Sequence, residues 1–231
     1  MTGGVLLTNT TTVSSYAYHA HGRYEAIADS FLYGDHAYPI NSTDKSRVRL
    51  DILTPMMEEL DAMQRTYSRV FVARFDLRLP SGTAVETGNE WIRQLFKKLR
   101  ERLKSKHRRP ESITSPIREF AYGWVREKEK AKQVHYHCWI ALPHRQVRSI
   151  GTANCGLGGA ITEVWCDLTG GKPSLVEFPG GEYIILRGEP ETLEEPVWRI
   201  SYLAKERGKF STGQGDRLFS TSKLRHKYPN T

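Results

Sequence analysis

Between Ser68 and Leu79 apolar and polar positions alternate. Phe71, Ala73, Phe75, Leu77 and Leu79 fall on one parity, and Val72, Arg74, Asp76 and Arg78 on the other. Alternation with a period of two predicts a strand, and Pro80-Ser-Gly ends it. Ile117 to Glu127 and Gln133 to Leu142 are two further runs rich in aromatic and β-branched residues. The charged turn Lys128-Glu-Lys-Ala-Lys132 separates them and Pro143 stops the second, which is the pattern of a hairpin. Leu175 to Arg187, with Pro179-Gly-Gly in its middle, predicts a second hairpin. Helical spacing appears elsewhere. Glu25 to Leu32 predicts a short helix. Thr54 can cap a better one, with Pro55 at its first position and Glu58 and Glu59 in its first turn. Thr87-Gly-Asn-Glu90 has the form of a capping box, followed by Trp91, Leu95, Phe96, Leu99 and Leu103 on one stripe. After the Gly-rich link from Gly151 to Gly159, Ile161, Val164, Trp165 and Leu168 predict a short helix closed by Gly170-Gly171. A last helix spans Glu194 to Gly208. Val197, Ile200, Leu203 and Ala204 form its core stripe, and Trp198, Tyr202, Lys205 and Lys209 form a second.

The first hairpin carries the chemistry. Side chains alternate along a strand, so His135 and His137 share a face. With the turn centred near Ala131, Glu127 lies directly across from His135. Two imidazoles and one carboxylate then converge as a facial metal site with open positions for water or substrate oxygens. Asp76 either joins a site or faces solvent. A second His-x-His, His19 and His21, sits in a polar stretch with no opposed carboxylate and reads as surface.

Composition narrows the class. The chain has 231 residues, 39% apolar and 26% charged, values of a globular protein rather than a disordered one. Residues 1–48 read as a partly irregular N-terminal arm and 49–231 as one domain. The 34 Lys and Arg outweigh 26 acids, for a net charge of +8, which favours a polyanionic partner. From Arg93 to Arg109 nine cations stand against Glu101 alone. Lys97, Lys98, Arg100 and Lys104 on this helix therefore predict a surface that tracks phosphates. Cys138, Cys155 and Cys166 lack Cys-x-x-Cys spacing, which argues against a disulfide frame and a zinc ribbon. No apolar run approaches eighteen residues and no basic-then-apolar leader opens the chain, so the expectation is a soluble, cytoplasmic protein without a membrane partner.

His135-Tyr-His137 on a central strand, followed by a helix with Tyr202-x-x-Lys205, resembles the HUH endonucleases. Arg74-Phe-Asp-Leu-Arg78, Val125-Arg-Glu127, Ser201-Tyr-Leu-Ala-Lys205 and, more loosely, Gly215-Asp-Arg-Leu-Phe-Ser-Thr-Ser222 are similar to the gene-II-type replication initiators of filamentous phages (inoviruses) and their prophage relatives. Such tails usually have Gly where Ser220 stands. The resemblance covers roughly Ser68 to Leu224. It implies an α+β fold: a central antiparallel sheet on the split βαβ plan, with helices on one side and the other face left for DNA. It implies a metal-dependent single-strand DNA endonuclease and strand transferase, a rolling-circle replication initiator of a bacterial host cell. His135, His137 and Glu127 would hold Mg²⁺ or Mn²⁺, with Glu129 competing for the third place. Tyr202 would attack phosphorus and remain as a 5′-phosphotyrosine. A free tyrosine has a pKa of about 10, and Lys205, one turn away, would stabilise its phenolate or contact phosphate. Trp198 would stack an unpaired base or pack in the core, and Lys209 would contact DNA. Partners would be single-stranded or origin DNA and a host or phage helicase. Tyr202 is the single tyrosine on its stripe, so joining a second strand would call for a second copy of the chain. Two other readings share these residues: a nucleic-acid-binding protein of the same fold without activity, and a phosphodiesterase whose nucleophile is water.

Overall fold

The computed structural model describes residues 18–20, 24–84, 88–105, 107–113, 115–128, 133–209 and 217–227. The chain begins with β1 (Tyr18–Ala20), β2 (Tyr24–Ile27), β3 (Ser30–Tyr33), β4 (His36–Pro39) and β5 (Val48–Arg49). It continues through α1 (Leu50–Thr66), β6 (Arg69–Arg78), α2 (Glu90–Lys104), β7 (Ala121–Glu127), β8 (His135–Pro143) and α3 (Gly156–Thr169). Then follow β9 (Val176–Glu177), β10 (Glu182–Leu186), α4 (Glu194–Ser201), β11 (Phe219–Thr221) and α5 (Leu224–Lys227).

The fold is α+β, built on a six-stranded antiparallel sheet in the order β10-β6-β8-β7-β11, with β9 beside β10 on the same side of β6. The order β6-α2-β7-β8-α3-β10 is the βαββαβ arrangement expected from the sequence. The alternation on β6 places Phe71, Phe75 and Leu77 against α2 and α3 in one core. Its other parity, Val70 and Val72, packs with Val125, Trp139 and Ala141 against α1 and α4 in a second core. The sheet is thus covered on both faces. The expectation of helices on one side and a free face for DNA is corrected, because the stripes of α1 and α4 are apolar enough to need burial of their own. At one end of the α1/α4 face the apolar parity of β6, β7 and β8 gives way to Arg74, Asp76, Glu127, His135 and His137, and Asp76, His135 and His137 line a cavity there.

Several boundaries differ from the pattern-based reading. Glu25 to Leu32 forms β2 and β3, not a helix, with Asp29 at φ 65° in the turn between them. Residues 24–49 contribute Ile27, Phe31, Tyr38, Ile40 and Val48 to the second core. α1 starts at Leu50, before Thr54, and holds Pro55 within it. Ile52 and Leu53 extend its apolar stripe a turn upstream, and Arg49 bonds Asp51 in the first turn. α2 is capped at Asn89, whose side chain makes no capping bond and instead donates to the Arg217 carbonyl at 2.7 Å; Thr87 lies outside the described residues. β7 begins at Ala121, although Ile117 and Phe120 are still buried. Leu175 to Arg187 is not a hairpin. β9 and β10 both pair antiparallel with β6, at Asp76-Leu77 and at Arg69 to Ala73, so they form one interrupted edge strand. Pro179-Gly180-Gly181 makes the excursion between them, with φ of 79° and 84° at the two glycines.

Candidate metal centre

The β7–β8 hairpin has the expected register: Glu127 pairs with His135, and Val125 with His137. β6 pairs on the other side of β8, Asp76 with His137 and Arg78 with His135. Side chains of directly paired residues share a face, so Arg78, His135 and Glu127 form a polar row across three strands, and Asp76 and His137 a second row across two, ending on Val125. Glu127, His135 and His137 each offer a ligand atom, all within 4.8 Å of one another. Oε2 of Glu127 lies 3.2 Å from Nε2 of His137 and 3.9 Å from Nε2 of His135. The two imidazole centroids are 4.8 Å apart with planes at 83°. This buried group can hold a metal ion.

The second nitrogens are engaged as metal-ligating histidines require. His135 Nδ1 lies 3.3 Å from the Gln133 carbonyl, which only accepts. His137 Nδ1 lies 2.9 Å from Oδ1 of Asp76 and 3.0 Å from Nη2 of Arg74. Arg74 already donates through Nε and Nη2 to Asp76, at 3.1 and 2.9 Å. A protonated Nδ1 donates to the Asp76 carboxylate, which only accepts. With a metal bound, both Nε2 atoms would be free of protons and directed to the common point. Asp76 thus joins the site, behind His137 rather than as a direct ligand, and Arg74 orients it. Glu129 lies outside the described residues.

The electrostatics follow from this packing. Burial opposes the charge on Glu127, but hydrogen bonding to His137 and the nearby Lys209 ammonium outweigh it and hold the carboxyl down at about 2. Asp76 is likewise lowered, burial being outweighed by bonds to His137 and Arg74. Burial also disfavours a charged His137, yet the bonds to Asp76 and Glu127 raise its pKa. His135 is lowered, by burial first and by its neighbour His137 second.

Tyr202 arrives from α4. Val197 and Ile200 bury the helix against the sheet, as the core stripe predicted. The α-helix ends at Ser201 and Tyr202–Ala204 is a 3₁₀ turn. The Tyr202 ring stands edge-on to His137, centroids 5.6 Å apart, with the Arg74 guanidinium 4.6 Å above it and Lys205 Nζ at 5.3 Å. Tyr202, His135, His137, Asp76, Arg78 and Glu177 line one cavity of about 400 Å³. A larger cavity of about 1110 Å³, against the start of α3, is lined by Arg145, Arg148 and Cys155. It contains no group of three or more metal-ligating side chains among the described residues.

The other expected contacts separate. Lys205 is buried and leaves the helix in extended backbone, so the stripe from Trp198 to Lys209 is broken. Lys209, expected to contact DNA, pairs with Glu127, because the chain turns back at Gly208 and aligns with β7. Trp198 stays on α4 one turn before Tyr202 and is 42% exposed. Lys97, Lys98 and Lys104 are exposed, but α2 lies across the sheet from the candidate metal ligands. Arg100 there lies over the rings of Phe120 and Tyr122. His19 falls in β1, and His21 is outside the described residues.

The fold and site together define an α+β protein with a His-His-Glu centre on its central sheet and a tyrosine beside it. Residues 35–222 match the YagK/YfjJ C-terminal domain, and the chain belongs to that family. It is 30% identical over 125 residues to the Escherichia coli (strain K12) protein called "Uncharacterized protein YfjJ", a match covering 49% of this chain and 58% of that protein. No solved structure matches. No helix among the described residues is long and apolar enough to cross a membrane.

Proposed function

We propose that the chain is a metal-dependent single-strand DNA endonuclease and strand transferase whose nucleophile is Tyr202. The observation that carries this reading is the Tyr202 ring set edge-on to His137, in the same cavity as His135 and His137. His135, His137 and Glu127 would hold the ion, with Asp76 and the Gln133 carbonyl fixing the two imidazoles. A mixed nitrogen and oxygen set suits Mn²⁺ better than Mg²⁺, which prefers an all-oxygen shell. When bound, the ion polarises a phosphate and offsets charge on its oxygens.

The chain's own residues supply the remainder. The Tyr202 oxygen attacks phosphorus, the bond to the 3′ oxygen breaks, and that oxygen leaves as a hydroxyl with the proton that tyrosine gave up. The phosphotyrosine keeps the bond energy for rejoining. Arg74 and Lys205 flank the ring and place two positive charges beside the phosphate that Tyr202 would attack. Trp198, exposed one turn earlier, offers a stacking surface to an unpaired base. Single-stranded or origin DNA is the proposed substrate. A host or phage helicase would open the duplex, and a second copy of the chain would join a second strand.

The test is a labelled single-stranded oligonucleotide pool incubated with the protein and Mn²⁺, resolved on a denaturing gel. The expected result is cleavage together with a protein–DNA adduct, both lost in Tyr202→Phe and both lost in chelator. Cleavage without an adduct would identify water as the nucleophile. Binding with neither product would make the chain a non-catalytic binding protein.

A further inference from the structure

Lys209 has a side chain only 5% exposed, and its ammonium bonds Oε1 of Glu127. Oε2 of that same carboxylate faces both imidazoles. The backbone holds this arrangement. Glu127 and Lys209 form a bridge, and Lys128 N donates to the Gly208 carbonyl at 3.0 Å. Gly208 sits at φ 79°, and a Cβ there would come 3.1 Å from Oε2. A side chain at 208 would therefore crowd the oxygen that the histidines face. The turn at Gly208 delivers a positive charge to one oxygen of Glu127 and keeps the other clear.

A buried lysine is costly unless paired, and the carboxylate that pairs with Lys209 is that of Glu127. A divalent ion on Oε2 would share one negative charge with the ammonium on Oε1. Like charges this close, with little water between them, repel strongly. We propose that Lys209 is a tethered cation that competes with the divalent ion for Glu127 and weakens metal binding at this site. The inference rests on the metal reading of the His-His-Glu group. It gives the site a charge balance: with Lys209 and a dication both present, the centre carries surplus positive charge that a phosphodiester would offset. Metal and polyanion should then bind more tightly together than either alone.

The alternative role is bracing, in which Lys209 fixes the rotamer of Glu127 and so strengthens metal binding. Charge and bracing separate by substitution. Lys209→Gln keeps a donor at Oε1 without the charge, Lys209→Met removes both, and Lys209→Arg keeps both. Mn²⁺ would be titrated by calorimetry into the chelator-treated full chain, and melting followed with and without Mn²⁺. Outer-shell partners commonly shift metal affinity by about 10–100-fold. Lys209→Gln and Lys209→Met should bind Mn²⁺ at least about tenfold more tightly than the unchanged protein, while Lys209→Arg stays near it. Metal-free Lys209→Met should melt lower than the unchanged protein, and Mn²⁺ should narrow the gap. If the unchanged protein binds Mn²⁺ and Lys209→Gln binds no tighter, competition is wrong and the metal site stands. If neither binds Mn²⁺, the metal reading and this inference fall together.

Discussion

Sequence alone leaves Asp76 undecided between a site and solvent, and its position shows how much one register contact settles. On β6 its parity matches Arg74 and Arg78, which says only that it points away from Phe75 and Leu77. Pairing with His137 across the β6–β8 ladder turns that parity into a hydrogen bond at 2.9 Å. Asp76→Ala should then leave the three ligands in place but free the His137 ring to turn, lowering Mn²⁺ affinity by about 10–100-fold, measured by calorimetry. Unchanged affinity would place Asp76 outside the site's function. Glu127 makes a different prediction. Its folded pKa is depressed from 4.5 to about 2. A depressed carboxyl contributes stability that is fully present above its unfolded pKa and is lost as pH falls through the folded one. In metal-free protein, the urea midpoint of the unchanged chain should therefore fall relative to that of Glu127→Gln as pH drops from 4.5 towards 2. A constant difference over that window would show that Glu127 gains nothing from His137 and Lys209.

At the level of elements, periodicity exposed what each segment buries but not where its polar residues find partners. The strand from Ser68, the β7–β8 hairpin with Glu127 opposite His135, and the stripes of α2, α3 and α4 were all legible, because apolar spacing is fixed by local geometry. The interrupted edge strand was not. Pro179-Gly-Gly looks the same whether the flanking segments pair with each other or both with β6. Glu59 was equally hidden. Its sequence neighbour Glu58 has the same chemistry, yet Glu59 is 0% exposed and holds the C-terminal segment. It accepts from Leu224 N at 2.8 Å, Arg225 Nη1 at 3.0 Å, Thr221 Oγ1 at 3.2 Å and the Ser222 hydroxyl. These bonds seat β11 on the edge of β7 and α5 on α1. Removing one partner of a buried ion pair costs about 3–5 kcal/mol. Glu59→Ala should lose about that much in urea denaturation, whereas Glu58→Ala, whose residue pairs with Arg225 nearer the surface, should lose under about 1 kcal/mol. Equal losses would mean that the C-terminal segment is held by apolar packing instead.

The whole molecule sets a buried group of cations apart from an exposed one. Arg74, Lys205 and Lys209 lie beside the candidate metal ligands or Tyr202 on the α1/α4 side, while Lys97, Lys98 and Lys104 project from α2 on the other layer. The sheet lies between them, so a DNA strand touching both must pass around its edge. Under the proposed function this separates two effects that a single groove would combine. A short oligonucleotide confined to the cavity should ignore α2, whereas a long strand should feel it through phosphate neutralisation. Each lost phosphate contact should flatten the dependence of log affinity on log salt by about 0.7 on a single strand. Changing Lys97, Lys98 and Lys104 to Gln together should therefore reduce the salt slope for long strands by up to about 2. Cleavage rate at saturating DNA should not change, because none of the three approaches Tyr202 or the metal ligands. Arg100 is left out of the substitution because it packs on Phe120 and Tyr122, and its loss would disturb the core as well as the charge. Fluorescence anisotropy over a series of salt concentrations, with oligonucleotides of increasing length, measures the slope. If the triple variant binds short and long strands with slopes unchanged from the parent, the basic face of α2 is solvated surface. If short strands weaken as much as long ones, the strand path crosses α2 before it reaches the site, and the two groups act as one.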